Sequence, residues 1–546
     1  MSQASNRRLC NVKTRSETGL EYVISKLNIL TPYGKKEMAE LRPYFPGEEA
    51  ELREQLDKSQ IMLDFCKSHE DKLNSILRIF MEMKDLSNTI ECAKKTTLAV
   101  VELYDYKVLL LQMRNIINAC NDLEEKLPDE YLLADVEDVI DILDPRHDRM
   151  ATFYLYNEFS EKLAQLRDRK HALELEARKA QKSKRDELRK TLGIQLTPKF
   201  DITVSKQSTD YDKVKTCDDL ELVDEDYVSV TYKLKSTPQV YEIMKEIGEV
   251  DGEIDLEEER VCAELSHKLG LYSELVAENC KKIGKLDLVI AKAQYYIKHD
   301  MVKPDICDEH ILDIVDGRNL VVVDHLEAKG KKYTPVSIHL EDGVTCITGA
   351  NMGGKTISLK LAGMIKVLAQ YGFFVPAAQA KVGLSNFIQM LIGDSQAVER
   401  GLSTFGSEME ELKEILDHGR DRSMILIDEI ASGTNPVEGL ALTRSLIDYL
   451  KVKPYITLIT THFDAAVDPD VVNMQVKGLS DVNFTSLNTE ISRANRKERI
   501  DIISRHMDYR LYRVENQGQV PKDALNIAMM LGINSEIIEG AKKYIK

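Results

Sequence analysis

No apolar run in the 546 residues approaches the length of about 20 that a bilayer-spanning helix needs. The opening Met-Ser-Gln-Ala-Ser-Asn-Arg-Arg also lacks the apolar stretch of a secretory signal. Neither a membrane protein nor a secreted one is expected. A C-x-x-C pair is missing too: nine cysteines lie scattered at positions 10, 66, 92, 120, 217, 262, 280, 307 and 346. An odd, dispersed set makes no disulfide framework and no zinc site, and reads as small buried hydrophobes in a reducing cytoplasm. Excess basic charge is the fourth absence. The formal net charge is −17, so the chain as a whole repels nucleic acid, and any contact with it needs locally basic surface.

What the sequence does hold is a complete phosphate-binding loop. Residues 349–356 read Gly-Ala-Asn-Met-Gly-Gly-Lys-Thr, the G-x-x-x-x-G-K-[ST] pattern. An apolar strand-like run, Val344 to Thr348, precedes it, and a helical pattern from Ile357 to Gln370 follows. Gly349, Gly353 and Gly354 let backbone N–H groups turn toward phosphate oxygens, and the helix start adds the positive end of its dipole. Lys355 reaches the β- and γ-phosphates, and Thr356 offers its hydroxyl to Mg²⁺. The loop as a whole, with Asn351 and Met352, binds ATP or GTP.

Further motifs follow in order. Met424-Ile-Leu-Ile427 is a buried-strand run that ends in Asp428-Glu429. The first acid is placed to hold the Mg²⁺ shell through water, and the second to act as general base on an attacking water. Another run, Tyr455 to Thr460, leads into Thr461-His462, where a histidine can sense the γ-phosphate and hydrogen-bond that water. Ser403-Thr-Phe-Gly-Ser-Glu-Met409 opens a helix, with Ser403 or Thr404 as N-cap and Glu408 in its first turn. Such a helix start can close on a nucleotide held by another subunit. The turn-rich loop Ala431 to Gly439 would lie at the same interface.

A chain this long should hold about three domains. From Thr18 to Leu143 the sequence reads as helices, broken at Pro32, Pro43 and Pro128. Tyr154 to Leu192 reads as a long exposed arm with Leu163, Leu166, Leu173 and Leu175 on its apolar side. Between Arg167 and Lys190 it carries ten Lys or Arg against five acids, so Arg178, Lys182 and Arg185 are candidates for DNA contact. Short strands are expected at Asp201–Val204 and Tyr227–Tyr232, with an acidic patch (Asp218, Asp219, Glu221, Asp224, Glu225, Asp226) between them. A second helical arm runs from Gln239 to His299, and a strand-like run from Ile311 to Asp324 follows Pro304.

Together the phosphate loop, Gly372-Phe-Phe-Val-Pro-Ala377, Ser403-Thr-Phe with Glu408-Met409, Leu426-Ile-Asp-Glu-Ile430 with Gly433-Thr434, and Thr460-Thr-His462 resemble the MutS family of ABC-type ATPases. The wording is similar to the second bacterial branch, which lacks mismatch-reading modules. Ala350 departs from the family's usual proline. The resemblance implies a multidomain chain in which an all-α lever and coiled-coil-like arms with a small β tip precede an α/β ABC-type P-loop ATPase domain. The lever would occupy 1–153, the clamp arms 154–299 with the tip at about 200–235, and the ATPase domain 300–546 with a helical dimerisation tail. No room is expected for a mismatch-reading module before the lever, nor a nuclease-like extension after Lys546. The resemblance further implies ATP and Mg²⁺ as cofactors and a cytoplasmic homodimer with Ser403 acting in trans. It implies a clamp on DNA in repair or recombination; the alternative is a remodelling chaperone for a protein client such as a cobalamin-dependent aminomutase.

Overall fold

This computed structural model describes residues 7–121, 127–349, 354–393, 404–431, 433–479, 487, 490–491, 499, 502, 505–514 and 523–544. The chain divides into two compact units. One comprises residues 1–77, 127–129 and 284–546, and the other 78–126 and 130–283. Five helices open the chain: α1 (Val12–Glu17), α2 (Leu20–Lys26), α3 (Pro32–Ala39), α4 (Glu49–Ser68) and α5 (Glu70–Met81). The Asn11 side chain caps α1 by accepting the Thr14 N–H, and Thr31 caps α3 through the Gly34 N–H with Pro32 at the first helical position.

The second unit continues with α6 (Ser87–Cys92), α7 (Val100–Asn121), α8 (Glu137–Leu143) and the 31-residue α9 (Glu161–Thr191). After α9 come β1 (Asp201–Ser205), α10 (Tyr211–Lys215), β2 (Leu220–Glu225), β3 (Ser229–Leu234), α11 (Pro238–Gly270) and α12 (Ser273–Lys298), of which residues 284–298 belong to the first unit. The arms α9 and α11 run antiparallel. Arg167 pairs with Glu258 at 2.8 Å, Lys170 with Asp251 at 2.7 Å and Arg169 with Glu246 at 2.6 Å. Leu163, Leu166 and Ala177 of α9 are buried along this pair of helices, as are Val250, Ile254 and Val261 of α11. Leu175 does not join them and is exposed. The apolar stripe drifts along the helix, so Ala177 is buried instead.

The tip is a three-stranded antiparallel sheet in the order β1-β3-β2. Its core joins Val204, Val230 and Tyr232 to Leu188, Ile194 and Val214. The acidic patch is not only a connection, as the sequence reading had it: Leu220–Glu225 is itself an edge strand paired with β3. The lack of an alternating pattern hid it, since only Leu220 of its six residues is buried. Tyr227 and Val228 belong to the turn rather than to β3.

The first unit resumes with β4 (Asp305–Cys307), β5 (Leu312–Gly317), α13 (Leu320–Glu327), β6 (Val336–Leu340), β7 (Gly343–Thr348), α14 (Gly354–Gln370), β8 (Gln379–Gly383) and β9 (Phe387–Leu391). It continues with α15 (Thr404–His418), β10 (Ser423–Asp428), α16 (Pro436–Leu450), β11 (Tyr455–Thr460), β12 (Val472–Gly478), β13 (Asp508–Arg513), α17 (Asp523–Met530) and α18 (Ser535–Tyr544). The expected strand run to Asp324 stops at Gly317. Asn319 accepts the Val322 N–H and caps a helix despite its valines. Six strands form one sheet in the order β13-β12-β7-β11-β10-β9, parallel except for the β12–β13 edge pair. A second sheet has the order β4-β8-β5-β6. Helix α14 is buried almost all round, Lys355, Ser358, Lys366 and Gln370 included. Among the described residues no helix is long and apolar enough to cross a membrane, and no cluster of metal-binding side chains occurs. All nine cysteines are free, eight of them buried.

Candidate functional site

Three neighbouring parallel strands, β7, β11 and β10, deliver the chemistry at their C-terminal ends. Such ends are where open α/β sheets place ligands. β7 runs into the phosphate loop, of which Gly349, Gly354, Lys355 and Thr356 are described. Gly349 has φ of 116°, a backbone conformation that a side chain would strain. A Cβ on Gly354 would come within 3.1 Å of Val476 and 3.2 Å of Tyr509, so a side chain there would crowd both residues. Ala350, Asn351, Met352, Gly353 and Ser403 lie outside the described residues.

Lys355 is nearly buried, with its Nζ 3.0 Å from the Gly349 carbonyl oxygen and 2.9 Å from Glu429 Oε1. The Thr356 hydroxyl lies 3.0 and 2.9 Å from the two carboxylate oxygens of Asp428. Thr460, directly opposite Asp428 in the β10–β11 register, donates its hydroxyl to the same carboxylate at 2.5 Å. The Glu429 N–H donates to both the carbonyl oxygen and the hydroxyl of Thr460 at 3.1 Å. A hydroxyl and a carboxylate held face to face are hard oxygen ligands of the kind Mg²⁺ takes, usually with several waters retained. Thr356 and Asp428 are therefore the residues that fit such an ion.

The turn beyond β10 is strained. Glu429 and Ala431 have φ of 46° and 60°, a region that costs non-glycine residues about 1–2 kcal/mol each. It is over-determined by its surroundings. Ile430 and Ala431 sit in a core cluster with Ile415, Ile427, Leu446 and Ile459, against which Phe405, Met409 and Leu412 of α15 pack. Glu408 of α15 is buried and accepts the Ala431 N–H at 3.2 Å. Burial raises its carboxyl above the ordinary range, and the Ala431 N–H opposes this.

His462 stands two residues beyond β11, exposed, with its ring 4.0 Å from that of Phe463. Asp464 begins a 3₁₀ turn just after it. Its Oδ1 is buried and has no hydrogen-bond partner among the described residues. Burial raises its carboxyl, while the charges of Lys355 and His462 lower it. Thr460 and Asp464 escaped the sequence reading as site residues. The register that sets Thr460 against Asp428 was a usable signal; for Asp464 only the fold supplies one.

Of the candidate DNA contacts, Arg178 and Lys182 are exposed on α9. Arg185 is partly covered, 5.9 Å over the Phe200 ring and 3.2 Å from Asp186.

Residues 345–546 match the family model described as MutS domain V. Curated relatives named endonuclease MutS2 match about half the chain. That of Carboxydothermus hydrogenoformans is 31% identical over 291 residues, 53% of this chain and 34% of the relative. The protein from Shouchella clausii is 33% identical over 290 residues, 53% and 34%. The one from Caldanaerobacter subterraneus subsp. tengcongensis is 29% identical over 310 residues, 56% and 36%. The matched region spans about a third of the length of these relatives. The chain thus resembles the MutS family of ATPases, on the side of proteins named MutS2.

Proposed function

We propose that this chain is a dimeric ATPase of the MutS type that couples ATP binding and hydrolysis to movement of its helical arms on DNA. The observation that carries the reading is the convergence of Lys355, Thr356, Asp428 and Glu429 at adjacent strand ends. In it, the loop from Gly349 to Gly354 cradles phosphates with its N–H groups, and Lys355 holds the β- and γ-phosphates. Thr356 and, through water, Asp428 hold Mg²⁺, which when bound neutralises phosphate charge. Glu429 takes the proton from the attacking water and His462 hydrogen-bonds it. Ser403 closes from the partner subunit.

The Lys355–Glu429 pair adds a step that follows from charge alone. Phosphates arriving at Lys355 replace Glu429 as its partner, and the freed carboxylate becomes available as a base. Nucleotide binding would therefore arm its own hydrolysis.

DNA as the ligand rests on the likeness to MutS proteins and on the exposed Arg178 and Lys182. A protein client is the second reading, and the tip favours it. Leu222, Val223, Tyr227 and Val228 are exposed there beside the acids of β2, a surface that suits protein better than phosphate. The deciding experiment is the ATPase rate with and without duplex, branched and single-stranded DNA, at low and near-physiological salt. Stimulation or binding that weakens with salt supports the DNA clamp. A rate abolished by Glu429→Gln but indifferent to every DNA supports a protein client.

A further inference from the structure

Glu408 is 7% exposed, although three of its neighbours on α15, Glu410, Glu411 and Glu414, keep at least partial contact with water. Its carboxylate points inward to the N–H of Ala431, a residue that is itself fully buried. No solvent could serve that N–H in its place, and a buried donor without a partner is costly. The turn from Glu429 to Ala431 therefore has two polar anchors. Thr460 holds the N–H of Glu429, and Glu408 holds the N–H two residues further on. Both lie across a segment whose positive φ values need outside support. The first anchor comes from the neighbouring strand, the second from a separate helix. That helix is fixed in turn by Lys13, which pairs with Glu411 at 2.8 Å.

We propose that Glu408 is a positioning residue for Glu429, tying the aim of the general base to the seat of α15. This rests on the ATPase reading above. In that reading the start of α15 meets the nucleotide of the other subunit, so seating α15 there and aiming Glu429 at the chain's own nucleotide become one event. The two sites of a dimer would communicate through a single side chain.

The test uses the full chain with Mg-ATP and three variants, reading kcat and KM separately beside the thermal midpoint. Misplacement of a catalytic group by an ångström can cost about 100-fold. Glu408→Ala should lose kcat on that scale with KM for ATP little changed. Glu408→Gln keeps an acceptor oxygen and should recover most of the rate. Glu408→Asp keeps the charge but withdraws the acceptor by one methylene, and should fold normally yet lose kcat as Ala does. Wild-type kcat in the Asp variant would overturn the proposal. So would parallel loss of kcat and thermal midpoint in Gln and Asp alike, which marks a purely structural carboxylate. Glu429→Gln separates the two claims: if it leaves the wild-type rate intact, Glu429 is not the general base and the role on which the proposal rests has failed.

Discussion

Lys355 and Glu429 form an ion pair of 2.9 Å, with the lysine side chain 4% exposed and the carboxylate 27% exposed. In the proposed function the lysine is thus occupied by the residue it must leave when phosphate binds. Glu429→Gln removes both the competing charge and the base. General-base contributions are about 10²–10⁴-fold, so kcat should fall within that range while nucleotide affinity rises. Steady-state turnover and equilibrium nucleotide binding check the two halves together. Weaker binding in the variant would show that the pair does not compete with phosphate.

Asp428 receives hydroxyls from Thr356 and Thr460. Asp428→Asn keeps the shape but loses the charge that suits a hard cation. The concentration of Mg²⁺ for half-maximal ATPase activity should rise at least about tenfold, the lower end of what metal-site changes cost. Thr460→Val leaves the charge and removes one hydroxyl from Asp428 and from the Glu429 N–H. Its effect should fall on kcat more than on Mg²⁺ dependence.

These residues differ in how far the sequence revealed them. The phosphate loop, the acids after β10 and the histidine after β11 were legible because strand, turn and helix follow one another locally. Lys366 was not. It reads as an ordinary polar position of α14, yet it is fully buried and its ammonium donates to the Gly383 carbonyl. Only the pairing of β8 with β4 and β5, strands more than sixty residues apart, closes that site. β2 was hidden for the opposite reason, since an edge strand facing water needs no alternating apolar residues. The link from Met390 N–H to Thr14 joins positions whose separation no local pattern can bridge.

Burial lowers the Lys366 pKa from 10.5 to about 7, with nearby Arg422 adding to it. Between those values the unfolded chain holds a proton that the folded chain has released. Stability should therefore rise with pH across this window and be lower at and below about pH 7. Replacing the lysine by an apolar residue of similar volume removes this cost of neutralising or burying the amine. Lys366→Met should raise the thermal midpoint at pH 7, and its advantage should shrink toward pH 10. An advantage that is constant across pH would mean the amine binds its proton equally in the folded and unfolded chain, its pKa unshifted.

In the other unit, Lys107 and Asp144 are both fully buried and 3.1 Å apart. Lys107 also donates to the Thr152 carbonyl at 3.1 Å, and Asp144 accepts from the Arg149 N–H at 2.9 Å. Lys107→Ala leaves the buried carboxylate with the Arg149 guanidinium, 3.2 Å away, as its remaining cation. The cost should therefore stay below the figure for a fully unpaired buried charge, about 3–5 kcal/mol. Lys107→Ala with Asp144→Ala should lose less than the two single changes summed. Urea unfolding followed by a probe in the arms measures all three; additive losses would mean the two charges do not interact.

Arg178 and Lys182 lie four residues apart on the exposed side of α9, so both present to the same side of the helix. If that side tracks phosphates, each residue releases about 0.9 counterion per contact on duplex DNA. Changing both to Ala should lower the slope of log affinity against log salt by about 1.8. Neutralising Glu221 and Asp224 on the edge strand makes the opposite test. Bringing phosphates to the tip would have those acids repel them, so Glu221→Gln with Asp224→Asn should strengthen binding. A DNA affinity that responds to the arm and not to the tip would place the duplex along α9, leaving the apolar surface of Leu222, Val223 and Tyr227 free for a protein.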